Sequence, residues 1–221
     1  MSEWDLSGEE ARVIAVLVEK SQTTPQYYPM TVNAITQGCN QKSARHPVMQ
    51  LTQGETGRAL NALLERNWVD REEDGGRVPR WRQQMRSQLL LKKPTQAVLT
   101  ALVLRGPQTQ SELQRHAQPL GGPTDSASMS EALDDLADRA QPLVMRLERA
   151  AGQKEPRWVH LLCGAEHAQE QAQSAVRVAR MPHNEDDTLK ARVAALEERV
   201  AALEAQLHSV TTTTQPSHSE G

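Results

Sequence analysis

The sequence predicts an α+β fold, mainly α with small β-hairpins: tandem winged helix-turn-helix domains followed by a C-terminal coiled-coil helix. Three observations carry this. Apolar residues recur at helical spacing in three successive segments that lead into a hairpin signal, the same order of segments then occurs a second time, and the chain closes in heptads. With no Phe and only 3% aromatic residues, the cores must be built from Leu, Val, Ala and Met, a composition suited to helices.

The first helix begins at Ser7-Gly8-Glu9-Glu10, a capping box in which the Ser hydroxyl and the Glu carboxylate each satisfy a backbone N–H. Val13, Ile14, Val16, Leu17 and Val18 form its apolar body, and Thr23-Thr24-Pro25 ends it. Beyond Pro29, Thr31 caps a second helix with Val32, Ile35 and Cys39 facing inward. A long polar loop follows, carrying Asn40, Gln41, Lys42, Ser43 and Arg45. Connections between packed helices usually take two to eight residues, so this length calls for a reason. A second capping box, Thr52-Gln53-Gly54-Glu55, opens a third helix with Ala59, Leu60, Leu63 and Leu64 inward, ending near Asn67. Two strand-like runs, "WVDRE" and "RVPRWRQ", flank Glu73-Asp74-Gly75-Gly76, whose glycines permit the positive φ of a hairpin turn.

The second copy repeats this order. "VLTALVLRGPQTQSEL" from Val98 echoes "VIAVLVEKSQTTP" from Val13, with a third capping box at Thr109-Gln110-Ser111-Glu112, and "LDDLADRAQPLVMRLER" from Leu133 echoes "LNALLERNWVDREE" from Leu60. Both hairpins contain Pro-Arg-Trp, at Pro79-Arg80-Trp81 and Pro156-Arg157-Trp158. The corresponding loop, "QPLGGPTDSASM", bears no basic residue and reads as plain linker. The expected organisation is a first winged helix over residues 1–84, a connector at 85–93, a second winged helix over 94–166, a linker or helix at 167–188, a coiled-coil helix at 189–210 and a disordered tail at 211–221. In the coiled coil, Val193 and Val200 occupy a, Leu196 and Leu203 occupy d, and Leu207 continues the seam. Arg192 and Arg199 at g then oppose Glu197 and Glu204 at e, which favours a parallel homodimer; folding back on its own chain is the alternative.

The run "EARVIAVLVEKSQTTPQYYPMTVNAITQGCNQKSARHPVMQL" from Glu10 to Leu51, "RVPRW" at Arg77 to Trp81 and "VLRGPQTQSEL" at Val103 to Leu113 resemble the YceH-like family of uncharacterised bacterial proteins, of the UPF0502 type. The likeness covers most of residues 4–165 and reaches into the heptads. It implies two winged helices and a coiled terminal segment, and says little about activity.

Charge narrows the functional classes. A net charge of -3 does not mark the whole chain as a nucleic-acid or membrane-surface binder, so any basic site must be local. Two cysteines without CxxC spacing, an acidic and polar Met1 to Leu6 unlike a signal peptide, and no apolar run near ~18 residues point to a reduced, cytoplasmic protein that does not enter a membrane. His160, Cys163 and His167 lack a zinc pattern, and no phosphate loop, nucleophile elbow or carboxylate pair occurs, so neither metal, cofactor nor catalysis is expected.

Winged helices usually lay the third helix in the major groove with the hairpin on the backbone. The expected nucleic-acid surface is Asn40, Gln41, Lys42 and Arg45 in the loop, Arg58 on the third helix, and Arg77, Arg80 and Arg82 on the hairpin, facing double-stranded DNA. Within the loop two readings stand: Lys42 and Arg45 on phosphates with Asn40 or Gln41 on base edges, or Asn40 and Ser43 capping helix ends and holding the loop against Pro47 and Met49. The third helix of the second copy carries Glu131, Asp134, Asp135 and Asp138 and would repel phosphates, so it reads either as a plain solvated helix face or as a surface that touches protein. Two functions follow, a DNA-binding protein of the transcriptional-regulator kind or a protein-binding scaffold with little or no DNA contact.

Overall fold

The structure, a computed structural model, describes residues 5–73, 78–149 and 155–180, with only the backbone for 174–180. It is a mixed α+β fold of helices and two small antiparallel hairpins. The first repeat comprises α1 (Gly8–Thr23), α2 (Val32–Cys39), α3 (Gln53–Glu65), β1 (Val69–Glu72) and β2 (Arg80–Gln83). The second comprises α5 (Lys93–Arg105), α6 (Gln110–Ala117), α7 (Ser126–Ala137), β3 (Val144–Arg146) and β4 (Trp158–His160), with a short α4 (Met85–Gln88) between the repeats and α8 (Gly164–Arg180) after them. All three capping boxes form, at Ser7 with Glu10, Thr52 with Glu55 and Thr109 with Glu112.

Each hairpin gains a third backbone neighbour from the segment before its second helix. Met30 bridges Trp81, with N–H to O distances of 3.1 and 2.8 Å, and Gln108 bridges Trp158 at 3.1 and 2.7 Å. In the β1–β2 register Asp70 faces Arg82 and Glu72 faces Arg80, so these four share one face while Trp81 is buried on the other.

The core belongs to both repeats at once. Ala11 to Val18 of α1 are buried without a break, as are Thr95 to Leu104 of α5, so neither helix keeps a solvent face over these stretches. A helix apolar all round needs packing on every side, and here α1 and α5 pack on each other inside one apolar cluster that runs from Leu6 to Leu162. Met1–Val176 form one compact unit, and a second begins at Arg177.

Two segments expected as linkers are structured. In 85–93, Met85, Leu89 and Leu91 are buried, anchoring the connector by its apolar residues. In "QPLGGPTDSASM", a 3-10 turn over Gln118–Leu120 buries Leu120 and touches α1, and Asp125 accepts a hydrogen bond from Ser128 N to start α7. Composition marked this stretch as loop, but it could not reveal that Leu120 is an anchor. The heptad residues Val193, Leu196, Val200, Leu203 and Leu207, and Arg77 in the first hairpin, lie outside the described residues. Among the described residues no helix is long and apolar enough to cross a membrane.

Candidate nucleic-acid interface

The long loop is held by its own polar side chains. Asn40, the residue that ends α2, donates from Nδ2 to Leu51 O and accepts at Oδ1 from Leu51 N, both at 2.8 Å, and so pins the far end of the loop to its start. Arg45 is buried, and its five donors are all engaged: Nε on Gly38 O, Nη1 on Ala44 O and Glu19 Oε1, and Nη2 on Glu19 Oε2 and Gln41 Oε1. The Glu19 contacts, at 3.1 and 2.6 Å, are the bidentate fork that suits guanidinium to carboxylate. Arg12 of α1, also buried, donates to Cys39 O and Pro47 O, and burial followed by the nearby Arg45 charge lowers its pKa to about 10.

These bonds bring Asn40, Gln41 and Arg45 together as an internal brace. They leave Lys42 exposed, with no hydrogen bond or ion pair among the described residues. The loop also reaches the second repeat, because His46 N donates to Leu104 O at 2.7 Å and the His46 ring lies on Gly106. The polar loop therefore links repeats, which accounts for its length more directly than tolerance of a long connection.

On α3, Gly54, Arg58 and Asn61 are exposed, and a Cβ at Gly57 would meet nothing within 4 Å. Arg58 makes no ion pair, though Glu9, Glu10 and Glu55 line the same shallow cleft. The first turn of α3 is closed by the capping box, so Thr52 N and Glu55 N are occupied. On the hairpin, Arg80 is exposed and donates once, to Pro29 O at 3.0 Å. Arg82 lies over the Tyr28 ring, 5.3 Å from its centroid, and pairs with Glu72, while Arg71 pairs with Glu73 at 2.8 Å. The Tyr28 hydroxyl accepts from Gln83 N at 2.6 Å, and burial raises its pKa. Among the described residues, Lys42, Arg58 and Arg80 are thus the expected site cations that form no ion pair, whereas Arg45 and Arg82 form one each.

In the second repeat, Glu131, Asp134 and Asp135 of α7 and Asp138, its C-cap, are exposed. Arg139 turns back to Asp135 and to Leu89 O, 2.6 Å away, and so leaves the acidic face largely unneutralised. Glu19, the residue that takes up Arg45, lies 26 positions away, a separation that gives no local signal for the pairing.

Comparison with known proteins gives one consistent family. The family described as "Protein of unknown function, DUF480" matches residues 6–153. A UPF0502 protein of Burkholderia ambifaria (strain MC40-6) is 42% identical over 210 residues, covering 94% of this chain and 89% of the relative. A UPF0502 protein of Burkholderia lata is 44% identical over 205 residues, covering 91% and 86%. A third, from Burkholderia pseudomallei (strain 668), is 41% identical over 201 residues with the same coverage.

Proposed function

The chain belongs to the DUF480 family of proteins of unknown function, and from that premise we propose that it is a non-enzymatic DNA-binding protein of the transcriptional-regulator kind. Its repeats are winged helices, and the first contacts the duplex through α3, the loop before it and the β1–β2 hairpin. Its heptads join two copies as a parallel dimer. The observation that supports the reading is that loop, helix and hairpin of one repeat each present an exposed cation that forms no ion pair among the described residues: Lys42, Arg58 and Arg80. The order of three helices and a hairpin, with the Met30–Trp81 bridge beside it, supports the winged-helix assignment.

Three phosphate contacts, from Lys42, Arg58 and Arg80, make a weak, salt-sensitive binder. With about 0.9 counterions released per phosphate contact, log affinity for random duplex should fall against log salt with a slope of about -2.7. Lys42→Ala with Arg58→Ala should bring that slope to about -1. Fluorescence polarisation at several salt concentrations checks both, and a wild-type affinity independent of salt removes DNA from the account.

A second reading has its own support. The exposed carboxylates of α7 are a surface that phosphates avoid and a basic protein segment would accept, which favours a scaffold that binds proteins. The same titration separates the two readings, since a scaffold leaves the labelled duplex free.

A further inference from the structure

Between the repeats, where the loop of the first meets α5 and α6 of the second, lies a cleft of about 290 Å³. His46 comes from the loop, Arg105 from the last turn of α5, His116 from α6, and Arg157 from the segment before β4. We propose that this cleft binds a small dianionic oxyanion, a phosphate or dicarboxylate group, held across the seam by Arg105, Arg157 and the two histidines.

Donor supply is the first argument. Arg105 is half-buried, yet among the described residues it donates no hydrogen bond and forms no ion pair. A guanidinium carries five N–H donors in a planar fork matched to carboxylate and phosphate. Arg157 uses Nη1 on Pro107 O and Glu112 Oε2, both at 2.9 Å, and keeps Nε and Nη2. The His46 ring has no hydrogen-bond partner among the described residues. At His116 the tautomer follows from its neighbour. Gln108 Nε2 donates to Ala101 O and Gly106 O, so Oε1 is the atom 2.5 Å from His116 Nδ1; that nitrogen carries the proton, and Nε2 is left without a partner.

Charge balance is the second. The carboxylates nearby are already engaged: Glu19 by Arg45 and Lys20, Glu112 by Arg157 and its capping role. Arg45, Arg105 and Arg157 line the cleft beside Glu112, an excess of positive charge that an anion would relieve. The histidine responds to the same field. Burial, then Arg105 and Arg115, hold the His116 pKa below its ordinary value against the pull of Glu112. Size agrees as well, since the cleft is at the small end of ligand sites and suits a few heavy atoms.

The test titrates the full chain with inorganic phosphate, glycerol phosphate and succinate at fixed ionic strength, following heat and the histidine ring signals. The expected result is saturable binding of at least one anion, with shifts at His46 and His116 and a rise in the His116 pKa. Phosphate compounds alone, or succinate alone, would name the ligand class. Arg105→Gln should weaken binding about 10- to 100-fold, the worth of charge-assisted hydrogen bonds. Arg105→Lys, which keeps the stem and the charge and so guards against a folding defect, should still weaken it by losing the fork. No saturable binding of any of the three anions, or binding untouched by both substitutions, overturns the proposal. So does a loss of duplex affinity in Arg105→Gln when wild-type protein ignores all three anions, because the cleft would then be part of the DNA surface.

Discussion

Arg45 shows how residue type and spacing can suggest one role and long-range packing supply another. From the chain alone it is a basic side chain in a polar loop, one reading of which puts it on phosphate. In three dimensions its donors are spent on Glu19, Gln41, Gly38 and Ala44. Removing one member of a buried ion pair leaves the other uncompensated, at a cost of about 3–5 kcal/mol, and Glu19 is 14% exposed against 0% for the Arg45 side chain. Arg45→Ala should therefore lower the urea midpoint sharply and leave the salt slope for duplex at its wild-type value; a changed slope with normal stability would return Arg45 to the binding surface. Asn40 teaches the same lesson, since its partner Leu51 lies at the other end of the loop. His160 is legible only as a strand residue, but it is fully buried, and burial, then His167 and Arg12, take its pKa from 6.5 to about 3. The folded state holds it neutral while the unfolded chain binds a proton below about 6.5, so stability rises with pH across that window and is lost on acidification. The loss is about 1.4 kcal/mol per pH unit between those two values. Denaturant melts from neutral pH down to about 5 should show this slope, and His160→Leu should flatten it.

At the scale of elements, features set by neighbours in sequence were the readable ones. Each capping box needs only residues three apart, and all three form; the hairpins need a turn between alternating runs, and both are present. What sequence could not supply was the destination of loops. The segment from Asn40 to Leu51 is polar because it makes hydrogen bonds to α1, to itself and to the end of α5. Its landing point is Gly106, the C-cap of α5, whose φ of 72° suits glycine and where a Cβ would lie 2.7 Å from the His46 ring. Gly106→Ala meets both penalties and should cost more than about 1 kcal/mol. A urea melt reads the cost, and a neutral result would mean that the loop and the α5 terminus are not held together as described.

The whole molecule follows from two short strings, "VIAVLV" and "AVLTALVL". Read within one copy, each is simply the apolar body of a first helix. Together they carry more information, since a helix without a polar stripe cannot end a small bundle and must be covered on all sides. α1 and α5 cover one another, the 3-10 turn of the second repeat touches α1, and the loop of the first reaches α5, so the same elements exchange contacts in both directions. Such a core has no seam along which one repeat could unfold while the other persists. A chain ending at Pro182 keeps all of it and lacks the heptads, so it should melt in one transition with calorimetric and van't Hoff enthalpies equal, and the proposed heptad pairing requires it to sediment as a monomer and the full chain as a dimer. Two resolved transitions would mean that the packing of α1 on α5 contributes little free energy. A truncated chain as dimeric as the full one would move the clamp from the heptads to the repeats, with the acidic face of α7 as the first surface to mutate.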